Sequence, residues 1–223
     1  MKDGRIGPGP NWNDSPEFSR ERQRSRLFFN VVSPAFIFID RNLGPAYREA
    51  LEKIGLPREW SVLDLGTGTG TLASVFAERG HQVTGLDFAT RLLKKARKRV
   101  RGAELREMDL VNLPKIPDNS SDLVSMAYLL HGIPEDFRQF VLYEAVRIAR
   151  HQVLVFDYPQ PGPWYVRLIE KIEGGHYSEF VSQDFRSWVR ALGLSMLRRG
   201  VASNHGGWWL IEAEGTDPQD SNA

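Results

Sequence analysis

The chain has 223 residues, 41% hydrophobic and 26% charged, with a formal net charge of +1 and no cysteine. That length suits one domain with a full core, and the near-zero charge gives no global pull toward polyanions such as nucleic acid. The missing cysteine excludes disulfides, thiolate metal sites and any mechanism that needs a cysteine nucleophile. No apolar run approaches the roughly 20 residues that span a bilayer, and no signal-peptide pattern opens the chain. A cytoplasmic domain of enzyme size, without a metal, is the expectation.

Residues 1–20 are rich in Gly, Pro and Asn without periodicity, and read as a flexible tail. Residues 21–56 read as a helical cap. A charged stretch, Glu17–Arg26, passes into the apolar cluster of Phe28, Phe29, Phe36, Ile37, Phe38 and Ile39, where Ser33-Pro34 is expected to interrupt any continuous helix. Pro45–Ile54 then forms a short helix stopped by Gly55, with Tyr47, Ala50, Leu51 and Ile54 on its apolar side. Residues 60–158 alternate regularly. Strand Ser61–Leu65 leads to helix Thr71–Arg79 closed by Gly80, and strand Gln82–Leu86 to helix Ala89–Arg101 closed by Gly102. Strand Ala103–Met108, a turn-rich link, strand Asp122–Ala127, a helix from Pro134 to Ala149 and strand Gln152–Phe156 follow. This β-α-β-α rhythm predicts a parallel sheet wrapped by helices. Residues 159–215 lose the rhythm. They hold a helix over Trp164–Ile172, a break at Gly174-Gly175, a helix from Ser182 to Leu192, and the strands Leu194–Val201 and Gly207–Glu214. The link between the last two is too short for anything but an antiparallel hairpin. Residues 216–223 read as a second flexible tail.

The organising stretch is Ser61-Val62-Leu63-Asp64-Leu65-Gly66-Thr67-Gly68-Thr69-Gly70-Thr71, a strand, a glycine turn and a helix start. That order is what a nucleotide-binding α/β unit requires. Gly68-x-Gly70-x-x-Ala73 formally fits the relaxed dinucleotide fingerprint, so a dehydrogenase has to be considered. Three acids argue for another ligand. Asp64 lies at the end of the first strand, where a pyrophosphate gains nothing from negative charge and a positive amine does. Asp87 ends the second strand and can accept from both ribose hydroxyls; Asp109 follows the third and can accept from an adenine amine. S-adenosylmethionine, a sulfonium nucleoside without phosphates, fits this row.

Val62–Gly70 resembles the first motif of class I S-adenosylmethionine-dependent methyltransferases. Thr84-Gly85-Leu86-Asp87-Phe88 is similar to their second motif, Met108-Asp109-Leu110 to their third, and Ser121–Ala127 to their fourth strand. The resemblance implies a Rossmann-like α/β fold, with a seven-stranded, mostly parallel sheet in the order 3-2-1-4-5-7-6 and strand 7 antiparallel. It implies a cofactor set of Asp64, Gly66, Thr67, Gly68, Thr69, Gly70, Asp87, Phe88, Asp109, Leu110 and Ala127, with Phe88 flanking the adenine and Asp109 and Leu110 reading it. It also implies S-adenosylhomocysteine as product. Among subfamilies the sequence is most similar to the ubiquinone/menaquinone-biosynthesis, small-molecule group, whose N-terminal cap resembles Phe29–Phe36. The Pro-Gly-Gly turn of that family is replaced by Arg150-His151-Gln152, and the C-terminal third matches those enzymes poorly. The cofactor carries over; the acceptor does not.

His131, just past the fourth strand, reads either as a packing histidine or as a general base near the methyl group. Phe36, Tyr158, His176 and Tyr177 are substrate-side candidates, and Asp157 either faces the substrate or fixes a loop. His205 reads as a turn residue. The basic run from Arg91 to Arg101 is interleaved with an apolar stripe, Leu92, Leu93, Ala96 and Val100. It therefore reads as the solvated face of one helix, turned away from the catalytic edge, and not as a nucleic-acid patch. The expected activity is methyl transfer to a small molecule by in-line displacement, with a homodimer left open as the assembly. The alternatives are an RNA or protein methyltransferase, a non-catalytic cofactor-binding subunit, and the dehydrogenase. An Asn-Pro-Pro-Tyr-like tetrapeptide is absent after the fourth strand, where Ala127-Tyr128-Leu129-Leu130 stands, which disfavours attack on base amines.

Overall fold

Alternating side chains along a few hydrophobic strands decide the architecture. The strands are β1 (Ser61–Leu65), β2 (Gln82–Asp87), β3 (Glu104–Glu107), β4 (Ser121–Ala127), β5 (Ala149–Asp157), β6 (Met196–Val201) and β7 (Gly207–Glu212). The computed structural model describes residue 12 and residues 15–162, 176–202 and 206–213; the side chains of 17 and 29–42 lie outside that description. The strands form one seven-stranded sheet in the order β3-β2-β1-β4-β5-β7-β6. β1 to β5 pair in parallel, and β7 runs antiparallel to both β5 and β6. The order and the antiparallel strand are those anticipated from the sequence.

Because successive strand residues point to opposite faces, the same strands feed two cores. Val62, Leu123, Leu154, Phe156, Trp208 and Leu210 face one side. Leu63, Leu65, Val124, Met126, Val153, Val155 and Ile211 face the other. The central strands are buried on both faces, which is why they read as continuous apolar runs. The edge strands β3 and β6 are mostly exposed and carry Glu and Arg. Each fully buried Leu, Val or Phe contributes roughly 1.5–3 kcal/mol, so these two layers supply most of the stabilisation.

The helices are α1 (Pro16–Ile54), α2 (Thr71–Glu78), α3 (Thr90–Arg99), α4 (Glu135–Ile148), α5 (Tyr177–Ser182) and α6 (Phe185–Ala191). α1 corrects two expectations. It starts within the predicted tail, where the Ser15 hydroxyl accepts from the Phe18 N–H, Phe18 is buried, and Trp12 packs on Phe18 and Phe137. It also runs through Ser33-Pro34 without the expected interruption. An interior proline costs a helix about 3 kcal/mol. The flanks of α1 are anchored, which outweighs that cost. Arg22 and Arg26 pair with Asp109 and Glu107, and Tyr47, Ala50, Leu51 and Ile54 are buried as predicted. Gly55 in the left-handed region ends the helix, and Arg198 of β6 donates to the carbonyls of Lys53 and Ile54.

Smaller corrections follow from local chemistry. α3 ends at Val100 in extended backbone, so Gly102 lies in the next turn and is not its cap. Two short 3-10 turns, Leu110–Lys115 and Leu130–Gly132, were not anticipated, nor was α5. The predicted helix Trp164–Ile172, the Gly174-Gly175 break, His205 and the 216–223 tail lie outside the described residues, as do residues 1–11 of the first tail. No helix among the described residues is long and apolar enough to cross a membrane.

Candidate functional site

The carboxyl ends of β1, β2, β4 and β5 converge, and the candidate residues cluster there in two groups. The first group is built on the glycine turn after β1. Gly66, Gly68 and Gly70 all have positive φ (65°, 56° and 80°). A Cβ on Gly68 would meet only the Gly66 carbonyl, at 3.8 Å, so its outer side is open to a ligand. A Cβ on Gly70 would lie 2.7 Å from Val100, because α3 packs directly against the turn. The turn is closed by Thr67 N–H to the Leu86 carbonyl at 2.9 Å and Gly70 N–H to the Thr67 carbonyl at 2.8 Å.

Asp64 sits beneath the turn, buried, and accepts from the Ser125 hydroxyl at 2.7 Å. Ser125 is its direct neighbour in the β1–β4 register. Asp87 is also buried and accepts from the Gly68 N–H (2.8 Å) and the Ala89 N–H (2.7 Å). Burial pushes each carboxyl up to about 6. Hydrogen bonds from Ser125 on one, and from backbone amides on the other, pull in the opposite direction. Two buried carboxylates with this little positive charge around them suit a ligand that brings an amine, a cation or hydroxyl donors.

Beyond Asp87, a cavity of about 310 Å³ is lined by Phe88, Met108, Asp109, Asn112, Lys115, Glu107 and Arg26. Leu110 opens the 3-10 turn that follows. Asp109 caps that turn by accepting from the Val111 N–H, and its other oxygen accepts from Arg22 of α1 at 3.0 Å. α1 thus reaches across this side of the site. The basic face of α3 departs from its expected isolation. Most of its side chains are exposed, but Arg99 returns to the glycine turn and donates to the Thr69 carbonyl, the Thr69 hydroxyl and the Thr71 hydroxyl.

The second group lies past β4 and β5. Ala127 ends β4, and Tyr128 follows in the left-handed region at φ 51°. That conformation is uncommon for a residue with a Cβ and concentrates at functional sites. His131 is buried, and its Nδ1 lies 2.6 Å from Asp157 Oδ1 at the end of β5. Asp157 also accepts from the N–H groups of Leu130, His131 and Tyr158. Tyr158 and Tyr177 stand edge-on to the imidazole, 4.9 Å and 6.0 Å away between ring centres, with Tyr128 and Phe180 completing the wall at 6.3 Å and 6.4 Å. The Tyr177 hydroxyl accepts from the Gly162 N–H at 2.6 Å.

The structure therefore brings together His131, Tyr158 and Tyr177 from the predicted set and adds Asp157 as the partner of His131. His176 turns elsewhere, its Nε2 2.7 Å from Glu21 of α1. The side chain of Phe36 lies outside the described residues. Sequence reasoning missed Ser125, Tyr128 and Arg138. Ser125 could have been found as the one polar residue in a buried apolar run. Arg138 could have been found by its helical spacing with Val141, Leu142 and Ala145, which puts it on the buried stripe of α4. Tyr128 carried no sequence signal.

The sheet order, the antiparallel seventh strand and an acid-flanked glycine turn at the carboxyl edge define the class I, S-adenosylmethionine-dependent methyltransferase fold. The family comparison agrees: residues 62–152 match the family described as methyltransferase domain. Over those residues the chain is similar to that family. It is 34% identical over 157 residues to the demethylmenaquinone methyltransferase of Listeria welshimeri, covering 63% of this chain and 65% of that protein. It is 34% identical over 151 residues to the demethylmenaquinone methyltransferase of Thermus thermophilus, covering 60% and 65%. The matched region thus spans a little under two thirds of these relatives' length. Among solved structures, the DhpI-SAH complex superimposes with a TM-score of 0.63 at 18% identity, covering 85% of this chain and 95% of that one.

Proposed function

We propose that this protein transfers a methyl group from S-adenosylmethionine to a small apolar or aromatic acceptor, with His131 as the proton-accepting group. The observation that carries the proposal is the His131–Asp157 pair, buried in an aromatic wall one strand away from the buried Asp64. When bound, the cofactor supplies an electrophilic methyl on a sulfonium. The chain's residues fit it: buried Asp64 and Asp87 have no cation partner among the described residues, Gly68 leaves its outer side open, and Phe88, Met108 and Asp109 line a cavity. Asp64 would take the amine, Asp87 the ribose hydroxyls, and Phe88, Asp109 and Leu110 the adenine, with Thr67, Thr69 and Ala127 shaping the turn and the methionine side.

With Nδ1 donating to Asp157, the imidazole is held as the tautomer whose Nε2 carries the accepting lone pair. It can take the acceptor's proton as the methyl bond forms, and Asp157 stabilises the imidazolium that results. Tyr128, Tyr158, Tyr177 and Phe180 orient a flat acceptor and exclude water. Alignment supplies most of the remaining rate, because the methyl is already activated. The names of the sequence relatives support a small-molecule acceptor, and a hydroxylated ring of quinone type is the first to try. A screen of candidate acceptors with radiolabelled methyl donor tests the reading. Label in a small-molecule product supports it, and cofactor binding without turnover on any acceptor points to the non-catalytic alternative.

A further inference from the structure

We infer that Arg138 is a positioning residue for His131, fixing the peptide that carries the imidazole; the inference rests on the reading of His131 given above. Arg138 lies on the apolar stripe of α4 and is completely buried. A guanidinium in that place is costly to desolvate, and an apolar side chain of similar volume would pack there without the cost. Its hydrogen bonds go where the cost has a return. Nε donates to the Leu130 carbonyl at 2.9 Å and Nη2 to the Ile133 carbonyl at 3.0 Å, one on each side of His131.

The Leu130–His131 peptide is consequently gripped at both ends. Its carbonyl oxygen is held by the Arg138 cation, and its N–H is held by Asp157, at 3.3 Å. The same carboxylate engages the imidazole Nδ1. With the peptide plane and Nδ1 both fixed, the ring has one orientation left. The guanidinium is in turn clamped by the rings of Phe180 and Trp188, with centroids 5.0 Å and 6.0 Å from its central carbon, and by Glu179 at 3.7 Å. Phe180 also faces the imidazole. Arg138 thereby ties α4, α5 and α6 to the short turn that bears His131. Its Nη1 makes no hydrogen bond among the described residues. A group placed only to satisfy backbone carbonyls would need fewer donors, whereas the rigid fork of arginine spans two carbonyls at a fixed separation.

The test uses the full chain and reads the imidazole nitrogen chemical shifts of His131, which report its tautomer whether or not an acceptor is known. The wild type is expected to show one fixed tautomer, protonated at Nδ1. Arg138→Met, of similar length but without the fork, is expected to show shifts averaged between tautomers. Its affinity for S-adenosylmethionine should stay within about twofold, and its turnover of an identified acceptor should fall about tenfold or more, with little change in KM. Arg138→Lys, which can reach one carbonyl, should restore part of the turnover. A folded Arg138→Met protein with wild-type His131 shifts overturns the inference. If that variant does not fold, unchanged shifts in Arg138→Lys overturn it, and so do averaged tautomers in the wild type. Absence of methyl transfer to every acceptor, with the shifts behaving as expected, counts against the proposed function and leaves the positioning role standing.

Discussion

On the β1–β3 side of the carboxyl edge, the candidate site is a set of residues adjacent in sequence to the strand ends they decorate. Asp64 and Gly66 to Gly70 are a single run, and Asp87 and Phe88 are another. On the β4–β5 side, His131 depends on Asp157, 26 residues away, on Arg138 from the next helix, and on aromatic rings from α5. The first side is a backbone device, in which turns and strand ends place a few acids and amides. The second is a side-chain device, in which packing between distant elements decides orientation. A fold can keep the first with little variation in sequence and rebuild the second freely, which is why a shared cofactor does not identify an acceptor.

Substitutions on the two sides should separate cleanly. The largest effect is expected from His131→Ala, which should lower turnover about a thousandfold while leaving cofactor affinity within a few-fold, as read by steady-state kinetics beside calorimetry. Equal losses in both would merge the two sides into one. Asp87→Ala should do the reverse, weakening S-adenosylmethionine binding about a hundredfold through the loss of charge-assisted hydrogen bonds.

A third prediction uses pH. Burial holds Asp64 at about 6 in the folded chain, against an ordinary 3.8. The folded state therefore binds this proton more tightly than the unfolded chain does. The stability it contributes is full below about pH 4 and is lost as the pH rises to about 6. Asp64→Asn keeps the shape without the charge. The Tm difference between variant and wild type, without cofactor, should shift in the variant's favour across that window and then level off. A flat difference would mean that Asp64 ionises in the folded chain without cost. The smallest effect belongs to Arg26→Ala. Its ion pair with Glu107 is about half exposed on both sides, and its loss should cost less than about 1 kcal/mol in thermal unfolding. A larger loss would show that α1 holds the cofactor side more firmly than surface charges allow.

The alternation of strands and helices and the cofactor-side acids were legible because each depends on short-range pattern, whereas the strand order was implied by the family resemblance. Apolar runs of strand length give β1, β2 and β4, punctuated by Gly66 after β1, by Gly80 before β2 and by the turn formers Asn119 and Ser120 before β4, and an acid at each strand end needs no partner to be noticed. α1 was misread at Ser33-Pro34 because local propensity counts the proline's lost hydrogen bond, and not the packing of both flanks. The basic face of α3 was placed too far from the site because the rule for a solvated face takes no account of where a long side chain ends. Arg99 is an exposed residue and its guanidinium still reaches Thr69 and Thr71. His176 was grouped with Tyr177 as its neighbour in sequence. In the structure Tyr177 opens α5 toward His131, and His176 sits at the cap and pairs with Glu21.

What the sequence by itself determined, then, is the frame: the alternation of strand and helix, the glycine turn, and the three acids at successive strand ends. Backbone conformation and period-two burial are properties of a few consecutive residues, so they can be read along the chain. Only the tertiary structure decided that His131 meets Asp157, that Arg138 is buried beneath it, and that Arg22 of α1 reaches Asp109. Those contacts form between elements whose mutual placement is set by the whole core, and no local pattern encodes the distance between them.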